Sequence, residues 1–515
     1  MLESARNPPT ACRKFWRYGA WWYVGGALQI GSSSLELDRM PPDSIMQFKL
    51  SKDVRTLPMT TYEAERNLLS RAHDSNVTED KGPVITGPVT IPGSAAFQVQ
   101  YAGRDVAAGL IAGAMAIPLT VGIAMMSDFP IKVGLATVAF ACFIGWVNAW
   151  IKPGNYIGCP GIAAGLAPVL AVGVASFGIE NMAFAVFLTA TFQAVIWKFN
   201  WQRYILIAVP VYLVEGLLAG VGLKIALKFL TFTYELPAGM VSADTFWNGA
   251  RIQMVLISMA GYAGFVYLYL KFKNTQPAIP YFVLITVGII LAQFMSVPML
   301  SMEDTDLKLS LPFPHFDSPL TAVYMLGFAV MLAMIDVIEQ VMSNAAIEKI
   351  DPLKRKCNSN NSLLAIWIAN MGASFFGGMT NLDGLAKSTT NRLAGAHTKF
   401  SVLIIGCMVT FFTFNVEYLA YLPKFALASI MIFTGWKMIE GLIHVTHHGP
   451  YAMILAILCG VLVFQVGIFE GLLIAMAVHG GVHYMMYANL DKMPGRDIVK
   501  RYIDDLKKSG SGDIT

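Results

Sequence analysis

Lys387 introduces a positive charge into a strongly apolar part of this 515-residue chain, and three hydroxylated residues, 388–390, follow it directly. The apolar segment that begins here, 386–397, is unusually short. If it is a helix, its free N–H groups and partial positive charge attract anions, and a lysine beside them strengthens that attraction. Lys387 and Ser388 are therefore candidate anion ligands. The alternative is a lysine that extends to the membrane surface, beside small residues that only allow close helix packing.

A second short segment, 159–177, opens in a similar way with Cys159, Pro160 and Gly161. Short apolar segments interrupted by glycine and proline, in corresponding positions of two halves of a chain, are typical of a transporter's binding site. We therefore expect two half-helices to face each other near the middle of the membrane and to hold an anion between them.

Two carboxylates, Asp336 and Glu339, lie about one turn apart in another apolar segment, and Ser343 follows Glu339 by one further turn. A carboxylate within a bilayer must be paired, protonated or bound to a cation. Glu339 and the Ser343 hydroxyl are predicted to bind Na⁺ or a proton, with a lesser part for Asp336. Two alternatives stay open. In the first, Glu339 forms an ion pair with Lys387 or Lys224 that has a structural role only and holds helices together. In the second, Asp336 faces water.

Five histidines form the one pattern that favours an enzyme. His444, His447 and His448 have the spacing HxxHH, and His479 and His483 have the spacing HxxxH. These spacings resemble the histidine boxes of membrane di-iron desaturases and hydroxylases. Those enzymes need more ligands than this cluster supplies, and the remaining histidines stand alone. We therefore expect no metal centre and no enzyme, and the di-iron reading is a remote alternative.

The composition indicates a membrane protein that crosses the bilayer many times. Hydrophobic residues make up 55% of the chain and charged residues only 14%, against about 25% in soluble domains. The net charge of +4 gives no reason to expect a nucleic-acid partner, and six scattered cysteines suggest neither disulfides nor a zinc site. No nucleophile elbow, P-loop or dinucleotide fingerprint is present. The expected partners are a small anion, the lipid bilayer and a possible second copy in a homodimer.

The chain divides into three parts by composition. Residues 1–103 are polar and predict a weakly ordered cytoplasmic arm, 104–487 form a transmembrane domain, and 488–515 form a short cytoplasmic tail. About fourteen apolar segments fill the middle part and begin near 105, 131, 159, 181, 204, 252, 278, 322, 362, 386, 399, 422, 450 and 468. The predicted fold class is therefore an all-α polytopic membrane protein in which the third and tenth segments are half-helices.

An internal repeat relates the two halves of this domain, about 104–300 and about 318–487. The spacing Pro-x11-Gly-x-Lys occurs at Pro210 and again at Pro423, in the fifth and twelfth segments. Seven spans per repeat is an odd number, so the second copy must insert upside down, which gives 7+7 inverted repeats. Basic residues in the short loops place both termini in the cytoplasm. The expected location is the cell membrane.

These motifs resemble the sulfate permease (SulP) family of anion transporters. The stretch "RDVAAGLIAGAMAIPLTVGIAMM" resembles its first helix, and "IANMGASFFGGM" followed by "AKSTTNRLAGAHTKFS" resembles its ninth and tenth. The patterns "ANxxxSxFGG" and "NxxAGAxT" are the most specific. Three departures stand out: "CP" replaces the usual "GP" before the third helix, Leu119 replaces a common glutamine, and no STAS domain follows the transmembrane part.

The resemblance implies core and gate domains that work by an elevator-like movement. It places the anion between the starts of helices three and ten. The implied substrate-binding residues are Cys159, Pro160, Gly161, Ile162, Ala386, Lys387 and Ser388, and the implied cation-coupling carboxylate is Glu339. No cofactor is implied apart from Na⁺ or a proton as the coupling ion.

The sequence thus predicts a secondary active transporter of a small inorganic anion such as sulfate or bicarbonate. The mechanism is cation-coupled symport or anion exchange. A nucleobase permease of the same fold is the nearest alternative, because such proteins also use a carboxylate in helix eight, although Lys387 favours an anion. An anion channel is a further alternative, because it could use the same anion site between the two half-helices.

Overall fold

The computed structural model describes residues 94–162, 164–202, 210–236, 249–301, 306–314, 318–446, 449–489, 494–495, 497–498 and 500. Most of the predicted arm, 1–103, and most of the predicted tail, 488–515, lie outside these ranges. The described part forms fourteen main helices, a single-turn helix Leu442–Val445, short 3₁₀ turns and two short strands.

The helices in chain order are α1 Ala102–Met126, α2 Ile131–Ile151, α3 Ala167–Phe177, α4 Ile179–Phe199, α5 Val211–Leu230, α6 Gly249–Phe272, α7 Ile279–Phe294, α8 Pro319–Ile350, α9 Ser359–Ser374, α10 Leu385–Leu393, α11 Phe400–Phe414, α12 Lys424–Glu440, α13 Pro450–Gln465 and α14 Ile468–Asn489. Strand β1, Cys159–Ile162, precedes α3, and strand β2, Asn381–Gly384, precedes α10.

The architecture is that of a polytopic membrane protein. In the described ranges, α1 with the turn before it, α2, α4, α6 and α8 are each long and apolar enough to cross a bilayer. Shorter apolar helices, among them α3, α7, α11 and α13, accompany them. Helix α6 has few buried residues along its length, which fits a helix that faces lipid.

The predicted segment starts agree with the helices to within three residues, apart from α3 and α5. The third segment was expected to begin as a helix at 159, and this is wrong: residues 159–162 are a strand, and the helix begins at Ala167. The physical reason is pairing with β2, which holds this backbone extended. For the fifth segment, residues 203–209 lie outside the described part.

The repeat marked by the two prolines has a direct structural counterpart. Pro210 and Pro423 are the residues immediately before α5 and α12, and the two helices pack against each other. A Cβ on Gly222 would overlap the carbonyl oxygen of Gly435, and a Cβ on Gly435 would overlap that of Gly222. This reciprocal contact is what a two-fold axis between the two helices requires, and it explains why both positions are glycine.

The core gathers around the two strands. Apolar side chains of α1, α2, α3, α5 and α12 form one continuous buried cluster that includes Cys159 and Ile162 of β1 and Leu382 of β2. Helix α4 packs against α8 and α9, and α11 packs against α1 and α2. The strands therefore lie in the middle of the helical bundle, where water is scarce and charged groups are costly.

Candidate functional site

Strands β1 and β2 pair antiparallel in the centre of the bundle and form a two-stranded ribbon. Cys159 lies opposite Gly384, and Ile162 lies opposite Asn381. Strand β2 runs directly into α10, while β1 is followed by a short connection and then α3. The ribbon therefore brings the predicted residues of the third segment beside those of the tenth.

All four residues of β1 that were predicted to bind the anion are buried. Pro160 has no N–H group, and its carbonyl oxygen lies 3.8 Å from the Cys142 sulfur. Cys159 directs its own sulfur to the carbonyl oxygen of Ile157 at 3.6 Å. Cys159 is thus a packed thiol at the edge of the site.

Lys387 lies in the first turn of α10 and is only 3% exposed. Its ammonium group lies against Gly161, where a Cβ would overlap the Nζ atom. Among the described residues it makes no hydrogen bond and no ion pair. A buried cation without a partner is expensive, so this position is suited to a bound anion. Its burial contradicts the alternative of a lysine that extends to the membrane surface.

The start of α10 adds a second attraction for an anion. Gly384 occupies the N-cap position and has no side chain to cap the first N–H groups of the helix. Ala386, which is exposed, and Lys387 belong to this first turn. Unpaired N–H groups at a helix start carry a partial positive charge, so Lys387 and the helix end reinforce each other.

Ser388 serves chiefly to hold the ribbon together. Its hydroxyl accepts a hydrogen bond from the backbone N–H of Cys159 at 2.9 Å and donates one to the carbonyl oxygen of Gly384 at 2.7 Å. The hydroxyl proton is therefore already used. Ser388 joins β1 to α10, and its predicted part as a direct anion ligand stays a prediction.

We expect Ser388→Ala to leave the Cys159 N–H buried without a partner. Such a loss costs about 1–3 kcal/mol. The melting temperature of the purified variant in detergent should fall, and the amide of Cys159 should exchange faster with deuterium. Thr389→Ala is the matched control, because Thr389 is the next hydroxylated residue. Equal stability of the two variants would contradict the assignment.

The predicted carboxylates of α8 lie in two different environments. Asp336 is fully buried, and its Oδ2 atom accepts hydrogen bonds from Gln193 Nε2 at 2.5 Å and Asn370 Nδ2 at 3.2 Å. The alternative that Asp336 faces water is therefore wrong. These contacts connect α4, α8 and α9, and Asn370 also accepts from the backbone N–H of Asn381 in β2 at 2.7 Å.

Glu339 approaches the segment just before α3. A Cβ on Gly165 would overlap its Oε1 atom, which is buried and has no hydrogen-bond partner among the described residues. No ion pair from Glu339 to Lys387 or Lys224 is present in that part of the chain. Lys387 lies against Gly161 and Glu339 lies against Gly165, so the two are close to the start of α3 but are separate charges.

The Ser343 hydroxyl does not donate its hydrogen bond to Glu339. Its hydroxyl donates to the backbone carbonyl oxygen of Asp383 in β2. Ser343 is buried and joins α8 to the ribbon. The predicted pairing of Ser343 with Glu339 around a coupling ion stays a prediction.

Sequence reasoning missed two charged residues at this site, Asp383 and Lys399. Asp383 lies in β2, and its Oδ1 atom is 3.7 Å from the Lys399 ammonium in a pair that is about 95% buried. Lys399 also donates to the carbonyl oxygen of Gly158 at 2.5 Å. Their charge inside an apolar domain was one available signal, but the sequence did not show that the two residues meet.

The histidine pattern is only partly described. His479 contacts the hydroxyl groups of Tyr212 and Tyr451, with 2.9 Å and 3.2 Å to its Nδ1 atom. The side chains of His444, His447, His448 and His483 lie outside the described residues. Within the described part, no group of three His, Cys, Asp or Glu side chains is arranged to hold a metal ion.

Comparison with known sequences identifies relatives over most of the chain. The profile of the Sulfate permease family matches residues 103–459. The "Putative sulfate transporter YvdB" of Bacillus subtilis (strain 168) is 24% identical over 363 residues, which are 67% of this chain and 66% of that protein. The "Putative sulfate transporter YbaR" of the same strain is 23% identical over 387 residues, 72% of this chain and 76% of that protein. The chain thus spans just under two thirds of YvdB.

Solved structures share the fold. The transmembrane domain of a cyanobacterium bicarbonate transporter, BicA, matches with a TM-score of 0.60 and 18% identity over 74% of this chain and 98% of that one. The structure of SLC26A9 matches with a TM-score of 0.61 and 14% identity, over 76% of this chain and 66% of that one. Murine Slc26a9 in the inward-facing state matches with a TM-score of 0.60 and 14% identity, over 81% of this chain and 74% of that one.

Proposed function

Because this chain belongs to the sulfate permease family, we propose that it is a secondary active transporter of a small inorganic anion. The family and the fold are those of a membrane transporter. Sulfate and bicarbonate are the substrates we propose first, since two similar proteins are named as sulfate transporters and one similar structure is a bicarbonate transporter.

The observation that carries this proposal is Lys387 at the start of α10, which is buried and has no hydrogen-bond or ion-pair partner among the described residues. A small oxyanion placed beside it would meet one full positive charge and the free N–H groups of a helix start. It would also lie next to Gly161, where the absence of a side chain leaves room for close approach. A neutral nucleobase would leave the Lys387 charge uncompensated, which favours the anion.

Glu339 is the residue that we propose for coupling to a cation. Its buried Oε1 atom needs a partner, and Na⁺ or a proton would supply one. Because Glu339 and Lys387 approach the same segment before α3, a cation at one and an anion at the other would attract each other. This arrangement supports symport as the proposed mode of transport, and anion exchange is the alternative.

We further propose an elevator-like movement of a core domain against a gate domain within residues 104–487. The ribbon supports this, because β1 and β2 come from different repeats and are joined by backbone hydrogen bonds. Both sides of the anion site would then travel together.

The test is uptake into proteoliposomes that contain the purified full-length chain. Labelled sulfate, bicarbonate, a dicarboxylate and uracil are compared, each with and without an imposed Na⁺ or proton gradient. We expect saturable uptake of one inorganic anion that an ion gradient drives above equilibrium. Uptake of uracil alone would favour a nucleobase permease, and conductive, non-saturable flux would favour a channel. Either result would overturn the proposal.

A further inference from the structure

Asp383 places a negative charge close to the proposed anion site. It lies in β2, four residues before Lys387, and it pairs with Pro160, the neighbour of the Gly161 that Lys387 contacts. A carboxylate so near would repel an incoming anion and weaken the attraction of Lys387. A site built to bind anions therefore has to neutralise Asp383.

The hydrogen bonds around Asp383 hold its carboxylate in one orientation. Gln340 accepts from the backbone N–H of Asp383 at 2.7 Å, so its amide nitrogen faces the carboxylate and donates to Oδ2 at 2.9 Å. Asn155 accepts from the N–H of Gly158 at 3.0 Å, so its nitrogen also donates to Oδ2, at 2.7 Å. Because backbone groups fix both amides, Oδ2 accepts hydrogen bonds from two neutral donors.

Two neutral amides cannot cancel a unit charge, and the residue in position to do so is Lys399. Its ammonium lies 3.7 Å from Asp383 Oδ1, the oxygen atom that has no hydrogen bond. The Gly158 carbonyl holds the ammonium there at 2.5 Å. Asp383 and Lys399 also line one small cavity with Asn155 and Ser362.

We propose that Lys399 sets the affinity for the anion, because it neutralises Asp383 and so leaves the Lys387 charge available to the anion. The inference rests on the proposed function and concerns residues of its site that do not touch the substrate. Lys399 acts through charge balance, and Asp383 positions β2 through its backbone contacts to Gln340 and Ser343. Removal of the Lys399 charge should therefore weaken anion binding, and removal of the Asp383 charge should strengthen it.

The experiment compares Lys399→Met, Asp383→Asn and the double variant in proteoliposomes, with KM and maximal rate measured for the anion that the wild-type chain takes up. Lys399→Met should raise KM about tenfold, because the uncompensated charge of Asp383 would then repel the anion. Asp383→Asn should lower KM, because Lys399 then adds a second free cation. The double variant should return to within about twofold of the wild-type value.

Arg355→Met is the matched control, because Arg355 forms another buried ion pair, with Asp351 at 2.7 Å, in the loop after α8. It should change thermal stability and maximal rate but leave KM unchanged. A merely structural role for Lys399 predicts the same pattern for Lys399→Met, and that outcome would overturn the inference.

Misfolding of one variant does not remove the test. If Lys399→Met is recovered unfolded, Asp383→Asn and the double variant still differ by the Lys399 charge alone, and equal KM values for these two would overturn the inference. A wild-type chain that takes up no anion would instead refute the proposed function, and with it this inference.

Discussion

Replacement of Lys387 by alanine should reduce anion uptake by at least about 30-fold. Lys387 is buried and unpartnered among the described residues, so in the loaded site its partner would be the anion. Loss of one member of a buried charge pair costs about 2–5 kcal/mol. The measurement is the initial rate of uptake into proteoliposomes at several anion concentrations, normalised to the amount of inserted protein.

Two further variants give this result its meaning. Lys437→Met removes a half-exposed lysine of α12, which pairs with Glu440 at 2.5 Å, and should leave uptake near the wild-type level. Lys387→Arg keeps the charge but changes its shape and should retain part of the activity. Uptake with an unchanged KM in Lys387→Ala would contradict the role of Lys387 as the anion ligand, on which the proposed function depends.

Replacement of Glu339 by glutamine should abolish accumulation above equilibrium while downhill uptake continues. The amide has nearly the same size but carries no charge, so it cannot attract Na⁺ or release a proton near neutral pH. Counterflow without a gradient should persist, because the anion site at Lys387 is intact. Two measurements on the same preparation test this. Gradient-driven accumulation reports coupling, and exchange of labelled for unlabelled anion reports counterflow.

Glu440→Gln is the control for this variant, since Glu440 is a half-exposed carboxylate on α12. It should accumulate the anion as the wild-type chain does. If Glu339→Gln still accumulates the anion with the same ion dependence, Glu339 is not the coupling residue, and Asp336 becomes the next carboxylate to test.

Helix positions were predictable because their signal is local. A run of apolar residues bounded by charged loops marks a span wherever the partner helices lie. The Pro-x11-Gly-x-Lys spacing predicted that α5 and α12 are repeat equivalents, and the structure brings its two glycines, Gly222 and Gly435, into direct contact. The same logic brought Lys387 to the start of a short helix, where the structure places it.

The start of α3 was not predictable in this way. Residues 159–162 are extended because their partners lie on β2, and the contact from Cys159 to Ser388 joins residues 229 positions apart. No window of sequence around Cys159 contains that information. Composition alone therefore predicted a helix for residues 159–162, whereas long-range pairing with β2 makes them a strand.

Asp383 was missed for a related reason. In the sequence it stands in the polar stretch "NLDG", which is typical of an ordinary loop. Its importance follows from partners on three separate elements: Asn155 before β1, Gln340 on α8 and Lys399 at the start of α11. Only the fold shows that these groups converge.

The pairing of β1 with β2 has a consequence for the origin of such a molecule. One strand comes from each repeat, and the strands run antiparallel, as inverted copies must. A single repeat could therefore build neither the ribbon nor the charge balance across it. An ancestor with one repeat could have formed this site only by pairing with a second copy inserted upside down, and gene fusion would have made that partnership permanent.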